Sequence, residues 1–231
     1  MELILDGIAD AFTLLRNGDP LVMWAAWRSL WISSCAVALA ALLGLPFGTA
    51  LARLEFPGRR FLVTLTRASM GVPTVFIGLV CYSLFSRRGP LGPLDLLYSP
   101  WGIVAGELLL AFPIVAAITH GAVKSMDPRI ADSAFTLGAG VIRRGLTYLS
   151  EVRVGVTVAV LTAFSRCVTE LGIAMMVGGN IKGRTRTLST ATALEASRGE
   201  FERGIAMGLL LLLISIVMVV VLSTVDREEE R

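Results

Sequence analysis

The chain has 231 residues, of which 55% are hydrophobic, and its mean hydropathy is +0.73. Soluble domains usually hold about 45–50% apolar residues, so most of this chain is expected to lie in lipid. The formal charge is +3, but the basic residues form short clusters between apolar runs. That pattern is typical of loops beside a membrane and argues against a nucleic-acid-binding protein. With no long polar block, residues 1–231 are predicted to form a single membrane domain.

Residues 1–20 precede the first long apolar run. Glu2, Asp6 and Asp10 recur every four residues, while apolar side chains occupy the opposite face at helical spacing. This pattern predicts an amphipathic interfacial helix that lies on the membrane surface.

Five apolar runs follow, and each is close to the roughly 20 residues that a helix needs to cross the hydrocarbon layer. They cover residues 30–52, 61–85, 101–123, 154–179 and 205–225. The predicted fold is therefore an all-α polytopic membrane protein with five transmembrane helices. If the N-terminus is exterior, ten Lys and Arg residues outside the spans lie on the inner side and nine on the outer side. The positive-inside rule alone therefore leaves the orientation open.

The connection between the third and fourth runs is unusually long and polar, from residue 124 to residue 153. Asp127 followed by Pro128 is a typical helix start, and Gly138 with Gly140 can end that helix and turn the chain. The sequence therefore predicts a helix, a turn and a second helix outside the membrane.

Residues 132–139 of this loop read Asp-Ser-Ala-Phe-Thr-Leu-Gly-Ala. The segment resembles the Glu-Ala-Ala-x-x-x-Gly cytoplasmic loop of binding-protein-dependent ABC importer permeases, with Asp132 and Ser133 in place of Glu and Ala. The resemblance implies a coupling helix at residues 127–153 that docks on a partner ATPase and transmits its closure. The alternative is an ordinary amphipathic loop helix. The residues implied in ATPase coupling are Asp132, Ala134, Leu137, Gly138 and Ala139.

The segment from residue 170 to residue 188 reads Glu-Leu-Gly-Ile-Ala-Met-Met-Val-Gly-Gly-Asn-Ile-Lys-Gly-Arg-Thr-Arg-Thr-Leu. It resembles the tungstate branch of these permeases, and its Gly-Asn-Ile-x-Gly-x-Thr core is also similar to molybdate permeases. Gly-Val-Pro-Thr at 71–74 and Arg-Arg-Gly-Pro-Leu-Gly at 87–92 extend the resemblance. It implies that loop 124–153 is cytoplasmic, and that the N-terminus and loop 178–203 are exterior.

The start of this exterior loop offers backbone N–H groups, an amide, hydroxyls and cations, which are the donors that an oxyanion needs. It is a candidate substrate contact; the alternatives are a docking surface for the binding protein and a solvated basic loop. The candidate residues are Gly178, Gly179, Asn180, Lys182, Arg184 and Thr185.

Ionisable residues inside the runs are few. Arg166 and Glu170 are four residues apart, so we expect them to share a helical face and form an ion pair. They could line a passage or only hold two helices together. Glu107 and His120 lack a second ligand at useful spacing and are interpreted as structural, so no catalytic and no metal-binding residues are predicted.

The resemblance implies a permease subunit for tungstate, molybdate or another small oxyanion, in a multi-pass protein of the bacterial cytoplasmic (inner) membrane. Its partners would be a second copy of itself, two ABC ATPase subunits and an exterior substrate-binding protein. The chain has no phosphate-binding Gly-x-x-x-x-Gly-Lys motif, so ATP and Mg would belong to the ATPase, with no cofactor here. The alternatives are a sulfate permease, a gradient-driven secondary transporter and an intramembrane enzyme.

Overall fold

The computed structural model of the chain describes Thr13 and residues 19–228, without the side chains of 218 and 221–228. Every regular element in this part of the chain is helical, which confirms the predicted all-α class. The interfacial helix predicted at residues 1–20 falls almost wholly outside the described residues.

Ten α-helices and one 3₁₀ turn, Gly92–Leu94, make up the described part of the chain. The helices are α1 (Pro20–Arg53), α2 (Arg59–Ser69), α3 (Thr74–Phe85), α4 (Pro100–Ser125), α5 (Pro128–Thr136), α6 (Val141–Glu151), α7 (Arg153–Val168), α8 (Gly172–Gly178), α9 (Leu188–Ser197) and α10 (Phe201–Glu228).

The packing centres on α1 and α4. Helix α1 begins ten residues before the predicted span, because the Asp19 side chain accepts hydrogen bonds from the first backbone N–H groups and Pro20 occupies the first turn. The two helices approach closely at Gly48, where an added Cβ would lie 2.5 Å from the carbonyl oxygen of Ala116. Apolar side chains of α7 complete this core, including Ala163 and Phe164.

The predicted span at 61–85 is not one continuous helix. It divides into α2 and α3, which meet at an angle of 103°. Pro73 lies at this break and can neither donate a backbone hydrogen bond nor let the preceding residue adopt helical geometry easily. The predicted span at 154–179 is interrupted as well, since residues 169–171 separate α7 from α8.

Two helices in the described part, α1 and α4, are long and apolar enough to cross a membrane alone. The bent pairs α2–α3 and α6–α7 raise that number to four if each forms one span. The fifth predicted span lies within α10, and the total of five stays a prediction.

The connections between the helices lie in two groups, at opposite ends of α1 and α4. At one end, α5 and α6 form a helical hairpin after α4. At the other end, the start of α1 meets the connections around α8, where the backbone N–H of Tyr98 donates to Val177 and Arg28 Nη1 donates to the carbonyl oxygen of Arg186.

Candidate functional site

The helical hairpin at residues 127–151 has the arrangement that the sequence predicts. Asp127 caps α5 by accepting a hydrogen bond from the backbone N–H of Arg129 at 2.9 Å. Gly138 has a φ of +72°, in the left-handed region that glycine adopts without strain. The turn between α5 and α6 therefore depends on a residue without a Cβ.

The candidate coupling residues divide between two faces of this hairpin. Ala134 is buried against Val123 and Tyr148, where it anchors the hairpin to α4. Asp132, Leu137 and Gly138 are exposed, and Ala139 is half-buried. Ala134 therefore positions the hairpin, whereas Leu137 is available to a partner.

An apolar patch covers the outer side of the hairpin turn. It consists of Phe135, Leu137, Val141, Ile142 and Leu146, all exposed, with Leu137 at 85% and Ile142 at 82%. Arg144 lies over the Phe135 ring at 5.5 Å, at the edge of this patch. A contiguous exposed patch of large apolar side chains with a charged margin is typical of a protein–protein contact.

Arg53 links α1 to the hairpin, a contact that no local sequence pattern predicts. Its guanidinium lies 5.1 Å from the centre of the Tyr148 ring. Its Nε and Nη2 atoms are buried without a hydrogen-bond partner among the described residues. The end of a long helix and the second hairpin helix are thus joined by a cation–π contact.

Arg166 and Glu170 form the predicted ion pair, with Arg166 Nη1 3.1 Å from Glu170 Oε2. The Glu170 side chain is enclosed, and its Oε1 also accepts a hydrogen bond from the backbone N–H of Ile173 at 3.2 Å. Its backbone carbonyl accepts another from Ser189 Oγ at 2.8 Å. Glu170 therefore fixes the interruption between α7 and α8 and ties it to α9.

The candidate residues at 178–185 form a compact turn. Thr185 is fully buried; its Oγ1 donates to the carbonyl oxygen of Gly178 at 2.6 Å and accepts from the backbone N–H of Ile181 at 2.9 Å. The Asn180 side-chain oxygen accepts from Arg186 Nε at 3.1 Å. These polar groups are engaged within the loop.

The remaining members of that set face outward. Gly179, Lys182 and Arg184 are exposed, and Gly179 has a φ of +69°. Lys182 and Arg184 are the members of the set that present charge to solvent. Contact of this loop with substrate stays a prediction.

Sequence reasoning missed helix α9, which lies inside the segment interpreted as the loop 178–203. Its signal was a capping box, in which Thr187 and Thr190 exchange hydrogen bonds between side chain and backbone. Leu188 at its start is fully buried, and its backbone N–H donates to Ser29 Oγ of α1 at 2.9 Å. The loop is thus anchored to the first long helix.

Glu107 and His120 both lie buried in α4. The Ser33 hydroxyl and the Glu170 carboxyl lie near the Glu107 carboxyl. Within the described ranges, no three His, Cys, Asp or Glu side chains come together as a metal site would require.

Residues 44–230 match the family described as the binding-protein-dependent transport system inner membrane component. The chain belongs to this family. It is thus a membrane-embedded transport component and not an enzyme, and it is located in the inner membrane.

Individual relatives agree with this assignment. The chain is 36% identical over 228 residues to the tungstate uptake system permease protein TupB of Peptoclostridium acidaminophilum, covering 99% of this chain and 100% of that protein. It is 30% identical over 190 residues to the molybdenum transport system permease protein ModB of Escherichia coli K12, covering 75% and 82%.

Among solved structures, the fold is similar to that of the inward-facing MetNI methionine ABC transporter. The TM-score is 0.72 at 15% identity, over 91% of this chain and 96% of that chain. This likeness concerns the fold alone.

Proposed function

We propose that this chain is the permease subunit of an ATP-driven importer of a small oxyanion, with tungstate as its substrate and molybdate as the nearest alternative. The observation that carries the proposal is the 36% identity to a tungstate permease over essentially the whole of both chains. The match to the molybdenum permease is weaker and covers less of this chain. Tungstate and molybdate are both tetrahedral divalent oxyanions, so the chemical class of the substrate is the same in either case.

In the proposed assembly, two copies of the chain enclose one passage and two ATPase subunits bind the hairpin α5–α6 in the cytoplasm. The exposed apolar patch around Leu137 supports this contact, because a large apolar patch in water is typical of a surface that binds another protein. ATP and Mg belong to the ATPase. A rigid-body movement of the hairpin then passes to α1 through Arg53 and Tyr148.

The exterior end of the assembly would receive the substrate-binding protein. Lys182 and Arg184 are exposed cations on the turn at residues 178–187. The buried hydroxyl of Thr185 holds this turn together by a hydrogen bond to the carbonyl oxygen of Gly178. Cations in such a position attract a divalent anion or an acidic protein surface. We assign them to capture of the released oxyanion, and docking of the binding protein is the competing role.

Titrating anions into the cognate binding protein tests the substrate. The full complex with its ATPase is reconstituted, and ATP hydrolysis is followed while tungstate, molybdate or sulfate loads the binding protein. Tungstate should stimulate hydrolysis at the lowest concentration. Stimulation by sulfate in preference to both other anions would contradict the proposed substrate.

A further inference from the structure

Helix α7 carries a polar stripe on its outward face. Thr162, Ser165 and Arg166 share this face at spacings of three and four residues, and Thr169 caps the end of the helix. Apolar side chains of the opposite face, including Phe164, are buried in the core. A polar and charged stripe is costly against lipid, so it must face water or protein within the membrane.

The stripe lines an open cavity of about 620 Å³. The cavity is open on one side, and its volume leaves room for a small tetrahedral anion. Met70, at the sharp break between α2 and α3, lies on the cavity wall.

The Arg166–Glu170 pair presents its positive end to this cavity. The Arg166 side chain is 46% exposed, whereas the Glu170 side chain is only 1% exposed. The Glu170 carboxylate also accepts a hydrogen bond from the backbone N–H of Ile173. This second contact keeps the carboxylate in place when the Arg166 side chain moves. Nη1 of Arg166 contacts Glu170, and the structure gives the guanidinium no other hydrogen-bond partner among the described residues. Its remaining N–H groups are free for a ligand.

The hydroxyl groups of the stripe differ in their availability. Thr162 Oγ1 donates to the carbonyl oxygen of Val158, and Thr169 Oγ1 donates to that of Ser165. The Ser165 hydroxyl has no such partner in the described part of the chain. The free donors at the cavity are therefore the Arg166 guanidinium and the Ser165 hydroxyl, which suit an oxyanion.

We infer that Arg166 and Ser165 form an oxyanion-binding site within the membrane, on the wall of the passage and one step beyond the exterior loop. The identity of the anion rests on the proposed function. The positive charge of the site comes from Arg166 and does not depend on the proposed function. If the inference is wrong, the ion pair only joins α7 to α8 and the stripe is covered by the second copy.

Neutralising both members of the pair separates these two roles. Arg166→Gln alone would leave the enclosed Glu170 carboxylate unpaired, which destabilises a protein whatever the role of Arg166. The double variant Arg166→Gln, Glu170→Gln removes both charges and keeps hydrogen-bonding groups in place. In the complex with ATPase and binding protein, we expect normal assembly and substrate-stimulated ATP hydrolysis but lost uptake. Restored uptake in the double variant would overturn the inference.

A second measurement does not require the pair to be altered. Ser165→Cys is prepared with Cys35→Ser, since Cys35 is the half-buried native thiol and Cys81 and Cys167 are buried. Reaction of the assembled complex with an anionic and a cationic methanethiosulfonate reagent reports the local charge. A unit positive charge close to a water-filled site, worth about 1 kcal/mol, should speed the anionic reagent about fivefold and slow the cationic reagent by a similar factor. Tungstate should slow the reaction.

The matched control is Ser150→Cys, at an exposed position on α6 outside the stripe, whose reaction should not respond to tungstate. No reaction of Ser165→Cys with either reagent would overturn the inference, because the stripe would then be covered by protein. Reaction without protection by tungstate, molybdate or sulfate would also overturn it. Protection by sulfate but not by tungstate would retain the site and reject the proposed substrate.

Discussion

The guanidinium of Arg53 lies 5.1 Å from the centre of the Tyr148 ring, so the last turn of α1 contacts the second hairpin helix. Two guanidinium nitrogens of Arg53 are buried without hydrogen bonds among the described residues, which makes the ring the main compensating contact. In the proposed mechanism, this contact transmits hairpin movement to the membrane helices.

Replacing the ring tests that link. Losing a cation–π contact worth about 0.5–1 kcal/mol in Tyr148→Leu should lower the stimulation of ATP hydrolysis by loaded binding protein about two- to fivefold. Tyr148→Phe keeps the ring and should behave as the wild type. Equal stimulation in Tyr148→Leu and Tyr148→Phe would remove Arg53 and Tyr148 from the coupling path.

The hairpin turn gives a matched pair of glycine substitutions. Gly138 and Gly140 both have open space around an added Cβ, but Gly138 has a φ of +72° and Gly140 has a φ of −64°. Gly138→Val should cost about 1–2 kcal/mol in the hairpin and abolish uptake, since a β-branched residue resists the left-handed conformation. Gly140→Val should retain uptake. Loss of uptake in both variants, or in neither, contradicts a specific role for the turn.

The exterior turn depends on the buried hydroxyl of Thr185, which bridges Gly178 and Ile181. Thr185→Val leaves a backbone N–H and a carbonyl oxygen unpaired, and should lower the free energy of unfolding by about 1–3 kcal/mol. Thermal unfolding of the detergent-solubilised complex measures the effect. Thr185→Ser keeps the hydroxyl and serves as the control; a comparable loss there would mean that the methyl group, and not the hydrogen bonds, holds the turn.

Lys182 and Arg184 are the exposed cations of the same turn. The double variant Lys182→Gln, Arg184→Gln should lower uptake, most strongly at low salt, because salt screens the capture step in the wild type as well. The complex should still bind its ATPase and the loaded binding protein. If weaker docking of the binding protein accounts for the whole loss of uptake, the loop belongs to that interface.

Local patterns in the sequence account for much of this structure. The hairpin was predictable because Asp127, Pro128 and Gly138 act on their own neighbours in the chain. The spacing of Arg166 and Glu170 likewise predicts a contact within one stretch of chain. Both features depend on residues that lie close together in the chain.

The rest could not be predicted in this way, for two physical reasons. The apolar run at 61–85 concealed the break at Pro73, because hydropathy reports the environment of a segment and not its direction. The contacts of Arg53 with Tyr148 and of Leu188 with Ser29 join distant parts of the chain, and only the packing of α1 brings them together. The open cavity beside Arg166 is likewise a consequence of packing.

The most direct test of the account is tungstate transport across proteoliposomes that contain the permease, its ATPase and the loaded binding protein. Ionophores collapse all ion gradients, and ATP is supplied on the ATPase side. The account predicts that tungstate moves only when ATP is present and that movement continues after the gradients are collapsed. Transport that proceeds without ATP, or that stops when the gradients are removed, would contradict it.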